Sequence, residues 1–122
     1  MKRSWILLGA LSAALAVITG AFAAHGLRGQ IDAAGLAIWD TASRYQMVHA
    51  LAMVAVGLAS ERLRGRALAA AGVCFLLGTL LFCGSLYALV LSGVRGLGMV
   101  TPIGGVAFIA GWLCLAWAAV RS

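Results

Sequence analysis

Residues 67–91 read ALAAAGVCFLLGTLLFCGSLYALVL, without a single charge, and the turn before them, Glu61-Arg62-Leu63-Arg64-Gly65-Arg66, is almost nothing but charge. In a helix rising 1.5 Å per residue the apolar stretch is roughly 37 Å long, more than the ~30 Å hydrocarbon core of a bilayer. Working outward, three more runs of similar character appear: Trp5 to Ala24, Thr41 to Ala59 and Thr101 to Val120. Hydrophobic residues make up 64 % of the 122, mean hydropathy is +1.06, and only three residues are acidic. A soluble fold of this length has too little interior to hide that much apolar surface. The chain reads as an integral membrane protein occupying 1–122 as one domain, with approximate helices 5–24, 41–59, 67–91 and 101–120.

The sequence isoelectric point near 10.3 has an explanation in topology. Lys2 and Arg3 precede the first run, Arg62, Arg64 and Arg66 separate the second from the third, and Arg121 follows the fourth. Arg28, Arg44 and Arg95 fall on the other side, with Asp32 and Asp40 beside the first two. Basic residues collect in cytoplasmic connections, so both termini are expected in the cytoplasm of a bacterial inner membrane. No nucleic-acid partner is called for. Met1-Lys2-Arg3, an apolar run and Ala21-Phe22-Ala23 imitate a cleavable secretory signal, but the run is longer than the usual hydrophobic region. The first helix is therefore expected to be retained.

The connections carry their own signals. Gly26 can end the first helix in a left-handed cap. Between Leu27 and Asp40, Ile31, Ala34, Ile38 and Trp39 recur at helical spacing, which predicts a short helix lying in the outer interface with Trp39 as its anchor. Asp40 or Thr41 would then cap the second membrane helix, leaving Arg44 at the membrane edge. The segment Ser92 to Gly98 is rich in glycine, yet no strand precedes it and no P-loop lysine follows. Thr101-Pro102 supplies a cap and a first-turn proline for the fourth helix. Small residues at Gly9, Ala13, Ala16 and Gly20, at Gly78 and Ser85, and at Gly104 and Gly111 mark contact stripes. Cys74, Cys83 and Cys114 lie in apolar runs without metal-ligand spacing and read as packing residues. The fold class is thus an all-α membrane protein, a four-transmembrane-helix antiparallel bundle with a short interfacial helix in the first outer loop.

Four stretches together resemble a known family. Gly20-Ala21-Phe22-Ala23-Ala24-His25-Gly26-Leu27 is similar to its first signature, and Trp39 with Thr41 to Ala50 (TASRYQMVHA) to its second. Gly84-Ser85-Leu86-Tyr87 and Thr101-Pro102-Ile103-Gly104-Gly105 resemble the third and fourth. The family is the small bacterial inner-membrane one catalogued as domain of unknown function 423, related to the animal transmembrane protein 256. The resemblance implies a four-helix membrane protein and brings no established activity, cofactor or catalytic residue.

In an antiparallel bundle the end of helix one, the start of helix two, the end of helix three and the start of helix four share one side. His25, Arg44, Tyr45, Gln46, His49, Ser85, Tyr87 and Thr101 are therefore expected to gather in one outer polar layer. Polar side chains within a membrane are costly, which makes such a layer a candidate for ligand or partner binding. Its bland reading is structural: His49 bonding Tyr87 or Ser85 across the bundle, Tyr45 in the aromatic belt, Gln46 satisfying free carbonyls. Haem or metal held by His25 and His49 is a sharper alternative, weakened by the want of a third ligand. Transport or binding of a small molecule or lipid by the same layer is another; every acid lies in a connection, which removes the usual carboxylate of a proton-coupled exporter. Catalysis by Ser85 with His49 has neither an orienting acid nor a nucleophile elbow. The reading these residues favour is a non-enzymatic protein without cofactor that packs against a membrane-protein partner or its own copies in the lipid bilayer.

Overall fold

In lipid a backbone must satisfy its own polar groups, and this chain does so by coiling nearly all of its length into helix. The structure, a computed structural model, describes residues 2–27 and 29–121. Helix α1 spans Lys2–His25, α2 Ala33–Ala59, α3 Arg66–Gly78 and α4 Gly84–Ser92. A π-helical turn, Thr79–Cys83, joins α3 to α4, a 3₁₀ turn occupies Arg95–Met99, and α5 runs Thr101–Arg121. Three helical stretches are long and apolar enough to cross a membrane: Lys2–His25, Arg66–Ser92 and Arg95–Arg121. The α2 helix is equally long but carries Asp40, Arg44, Gln46 and His49 in its first two thirds.

The start of α2 differs from the sequence expectation. Residues 33–40 are not a separate interfacial helix; they are the first turns of α2, continuous through Arg44 and beyond. Asp32, rather than Asp40 or Thr41, supplies the cap, its Oδ1 accepting from the Gly35 amide at 2.8 Å. Thr41 bonds back to the Ala37 carbonyl at 3.0 Å, as a threonine inside a helix does. Trp39 is buried instead of anchoring an interface: its indole N–H donates to the Thr19 carbonyl at 2.7 Å, and its ring meets Phe22 and Tyr87 edge-on. That bond staples the opening turns of α2 to α1, so the helix has no reason to break at Asp40. The left-handed glycine is also displaced. Gly29 takes a positive φ in the first connection and Gly93 does so after α4, whereas Gly26 lies against the Phe22 ring.

Alternating helices bring α1 along α2 and α3 along α5, with α2 also touching α3, the π turn and α4. Both pairings depend on absent side chains. A methyl group on Gly9 would sit 2.6 Å from the Ala50 carbonyl oxygen, one on Gly111 of α5 would lie 2.7 Å from the Phe75 ring of α3, and one on Gly104 would strike the backbone nitrogen of Phe82 in the π turn. One core, built on Trp5, Met53, Val56, Leu68 and Phe75, fills the end of the bundle at which the chain starts. A smaller one, Ala42, Cys83 and Phe108, lies beyond it. All three cysteines are free. Lys2 pairs with Glu61 across the α1 start and the α2–α3 turn, placing Lys2, Arg3, Arg62, Arg64, Arg66 and Arg121 at one end of the bundle.

Candidate functional site

Two hydrogen-bonded groups, both centred on α2, engage the buried Gln46 and His49. In the first, Tyr87 on α4 donates to Gln46 Oε1 at 2.7 Å, and Gln46 Nε2 donates to the Ser12 carbonyl and hydroxyl on α1 at 3.2 and 3.3 Å. Thr19 lies 2.9 Å from the Tyr87 oxygen. Since the phenol proton goes to Gln46, the single Thr19 hydroxyl proton is shared between the Tyr87 oxygen and the Ala16 carbonyl, 3.1 Å away. The group joins three helices.

The second group is aromatic. His49 lies face to face with Phe108, ring centroids 3.5 Å apart and planes 10° off parallel. Tyr45 stacks on Phe82 at 4.7 Å, and Phe75 meets Trp112 edge-on at 4.8 Å. Trp112 Nε1 donates to His49 Nε2 at 3.1 Å, and His49 Nδ1 is 2.7 Å from the Tyr45 carbonyl. An indole N–H can only donate, so Nε2 is the acceptor and the ring proton sits on Nδ1, donated to Tyr45. This is neutral imidazole with both nitrogens engaged. A third, smaller contact links Ser85 to Thr101 at 2.6 Å, tying α4 to the first residue of α5. Thr101 is thus the first helical residue, with its hydroxyl turned to α4 rather than serving as a cap.

The eight residues singled out from sequence therefore divide. Gln46 and Tyr87 meet, Tyr45 and His49 meet, and Ser85 meets Thr101. His49 bonds neither Tyr87 nor Ser85. Arg44 is exposed and pairs with Asp40 at 2.9 Å. His25 is exposed at the end of α1. Because Ser12 lies opposite Gln46 and Thr19 opposite Trp39, the antiparallel register places His49 opposite Gly9, so His25 lies more than four helical turns from it, roughly 24 Å along the bundle. Within one chain that separation keeps the two imidazoles from sharing a haem or metal. Gln46, His49, Ser12 and Trp112 all fall in the middle third of their helices, so the polar set is a stepped column running inward rather than one outer layer. Ser12, Thr19, Phe108 and Trp112 were missed as members. Ser12 and Thr19, seven apart on one face of α1, and Phe108 and Trp112, four apart on α5, gave the available signals.

Among the described residues every buried side-chain nitrogen and oxygen has a hydrogen-bond partner. One seam stays open beside them. Between α1 and the π turn lies a groove of about 270 Å³, lined by Leu15, Thr19, Gln46, Thr79, Leu80 and Tyr87 and almost wholly apolar at its surface.

Long apolar helices packed glycine to backbone around a buried polar column define an all-helical membrane protein. Comparison with known proteins gives its kinship. Residues 19–105 match the family described as "Protein of unknown function (DUF423)", and the chain belongs to that family. It is 47 % identical over 113 residues to a UPF0382 membrane protein of Staphylococcus aureus strain bovine RF122, covering 93 % of this chain and 92 % of the relative. The UPF0382 membrane protein YwdK of Bacillus subtilis is 44 % identical over 120 residues, 98 % of each chain. A UPF0382 membrane protein of Haemophilus influenzae is 42 % identical over 123 residues, 100 % of this chain and 98 % of its own. No solved structure matches.

Proposed function

We propose that this is a non-enzymatic protein of the bacterial cytoplasmic membrane that holds a partner within the bilayer. In this reading α2 is a fourth span. Gln46 and His49 are sheltered by α1, α4 and α5, which removes the cost of carrying them through lipid, and the exposed Arg44 and Asp40 pair with each other nearer its start. Both termini then lie on the cytoplasmic side, with the six-residue basic end. The observation that carries the binding role is the groove between α1 and the π turn. At Gly9 helix α1 closes on the α2 backbone, whereas here it stays apart from the π turn over an apolar lining. An apolar side chain projecting from a partner's membrane helix fills a space of that size, against a lining whose polar atoms are already bonded to one another. Catalysis is disfavoured because His49 and Ser85 already have partners within the chain.

The test is photo-crosslinking in cells. A photoreactive residue at Leu15 or Leu80 should give an adduct with a membrane protein of defined mass, and one at the outward-facing Leu113 should not. Lipid adducts alone would replace the partner with an amphiphile. The same adducts at all three positions would sink the groove as a specific site.

A further inference from the structure

At the basic end, away from the groove, a cleft of about 470 Å³ is lined by Arg64, Arg66, Trp117 and Arg121, with Gly65, Ala67 and Ala118 completing it. We propose that this cleft binds the phosphate of an anionic phospholipid headgroup. Three arginines line it from separate elements: Arg64 in the α2–α3 turn, Arg66 at the start of α3 and Arg121 in the last turn of α5. Among the described residues none of the three is paired with a carboxylate, and Glu61, the one acid at this end, is taken by Lys2. Guanidinium donors suit phosphate oxygens because they can bind two at once. Like charges drawn together without an acid repel one another, and a bound anion relieves that. The cleft is also lined by the cap residue and first two residues of α3, a helix that no side chain caps.

The source of the phosphate follows from what accompanies the arginines. Trp117 lies in the last turns of a membrane-length helix, with the Arg121 guanidinium 5.8 Å from its ring centroid. An amphipathic indole at that depth marks the headgroup level of a bilayer. Basic pockets between membrane helices on the cytoplasmic side are where anionic headgroups settle. At about 30 Å³ per water the cleft has room for on the order of fifteen waters, which accommodates a phosphoglycerol headgroup with solvent to spare.

Native mass spectrometry of the full chain in mild detergent tests this, with dioleoyl phosphatidylglycerol, dioleoyl phosphatidylcholine or inorganic phosphate added in turn. The wild-type chain should retain phosphatidylglycerol in preference to phosphatidylcholine. The double variant Arg64→Gln, Arg121→Gln should weaken that retention roughly thirtyfold. Arg3→Gln, Arg62→Gln removes the same charge outside the cleft and should change it less than threefold. Equal losses in the two variants would mean diffuse attraction and overturn the site. Retention of inorganic phosphate with no preference for the lipid would overturn the headgroup assignment. Both outcomes leave the groove reading untouched, because the groove is read by crosslinks elsewhere on the molecule.

Discussion

His49 is fixed by two bonds of opposite sense, one accepted from Trp112 and one donated to Tyr45. His49→Leu strands the indole N–H of Trp112, so it should cost about 1–3 kcal/mol in reversible unfolding from detergent. Trp112→Phe keeps an aromatic ring beside Phe75 and removes the donor itself, and should cost less. An unfolding free energy for Trp112→Phe larger than for His49→Leu would mean that aromatic packing, rather than the hydrogen bond, holds this part of the bundle. The Tyr87–Gln46 bond can be isolated by a double-mutant cycle of Tyr87→Phe and Gln46→Leu. Coupling between them should be about 0.6 kcal/mol, typical for polar pairs between membrane helices. Neighbouring glycines give a sharper contrast. A methyl group at Gly104 collides with the backbone of Phe82, whereas one at Gly105 meets only the Phe82 ring at 3.8 Å. Gly104→Ala should therefore cost about 1–3 kcal/mol and Gly105→Ala close to nothing.

Among the elements, the π turn at Thr79–Cys83 is what lets α5 approach so closely, since Phe82 in that turn presents its backbone to Gly104. A π turn accommodates one residue more than the α-helix it interrupts. Deleting the exposed Leu80 should return the segment to regular helix and keep Tyr87 facing Gln46. Deleting Val73 in α3 leaves the wide turn in place and rotates the two flanks by about 100°. Proteolytic resistance should survive the first deletion and be lost in the second; the reverse result would show that the wide turn itself is indispensable. Nothing in the residue pattern announces this turn, because Thr79 and the glycines at 78 and 84 are equally at home in a plain membrane helix. The opening of α2 was misread for a related reason. Asp40 and Thr41 were the caps expected, and the bond from Trp39 to Thr19 on α1, a contact between helices that no local pattern shows, holds the helix together back to Asp32. The start of α5 was easier, because Thr101-Pro102 permits helix onward and little else.

For the molecule as a whole, charge placement is the readable part and depth is not. The six basic residues share an end because helices alternate in direction, which chain order alone dictates. How far inside the bundle Gln46 and His49 fall depends on how α2 extends back to Ala33, and no local pattern reveals that. The orientation is checked with a membrane-impermeant thiol reagent on intact cells: Gly96→Cys should be modified from outside and Arg62→Cys only after permeabilisation. The opposite pattern would invert the protein. The layout has another consequence. Its two most intimate pairings, α1 with α2 and α3 with α5, each lie wholly on one side of the exposed Glu61–Gly65 turn. Across that divide the halves meet through lateral contacts such as Tyr87 with Gln46, Trp112 with His49 and Trp5 against Gly72. Two polypeptides produced separately, one ending at Arg64 and one beginning at Gly65, should consequently find each other in the bilayer and purify as a single complex. The peptide bond between them then serves to deliver the halves in equal number, while cohesion resides in the seam.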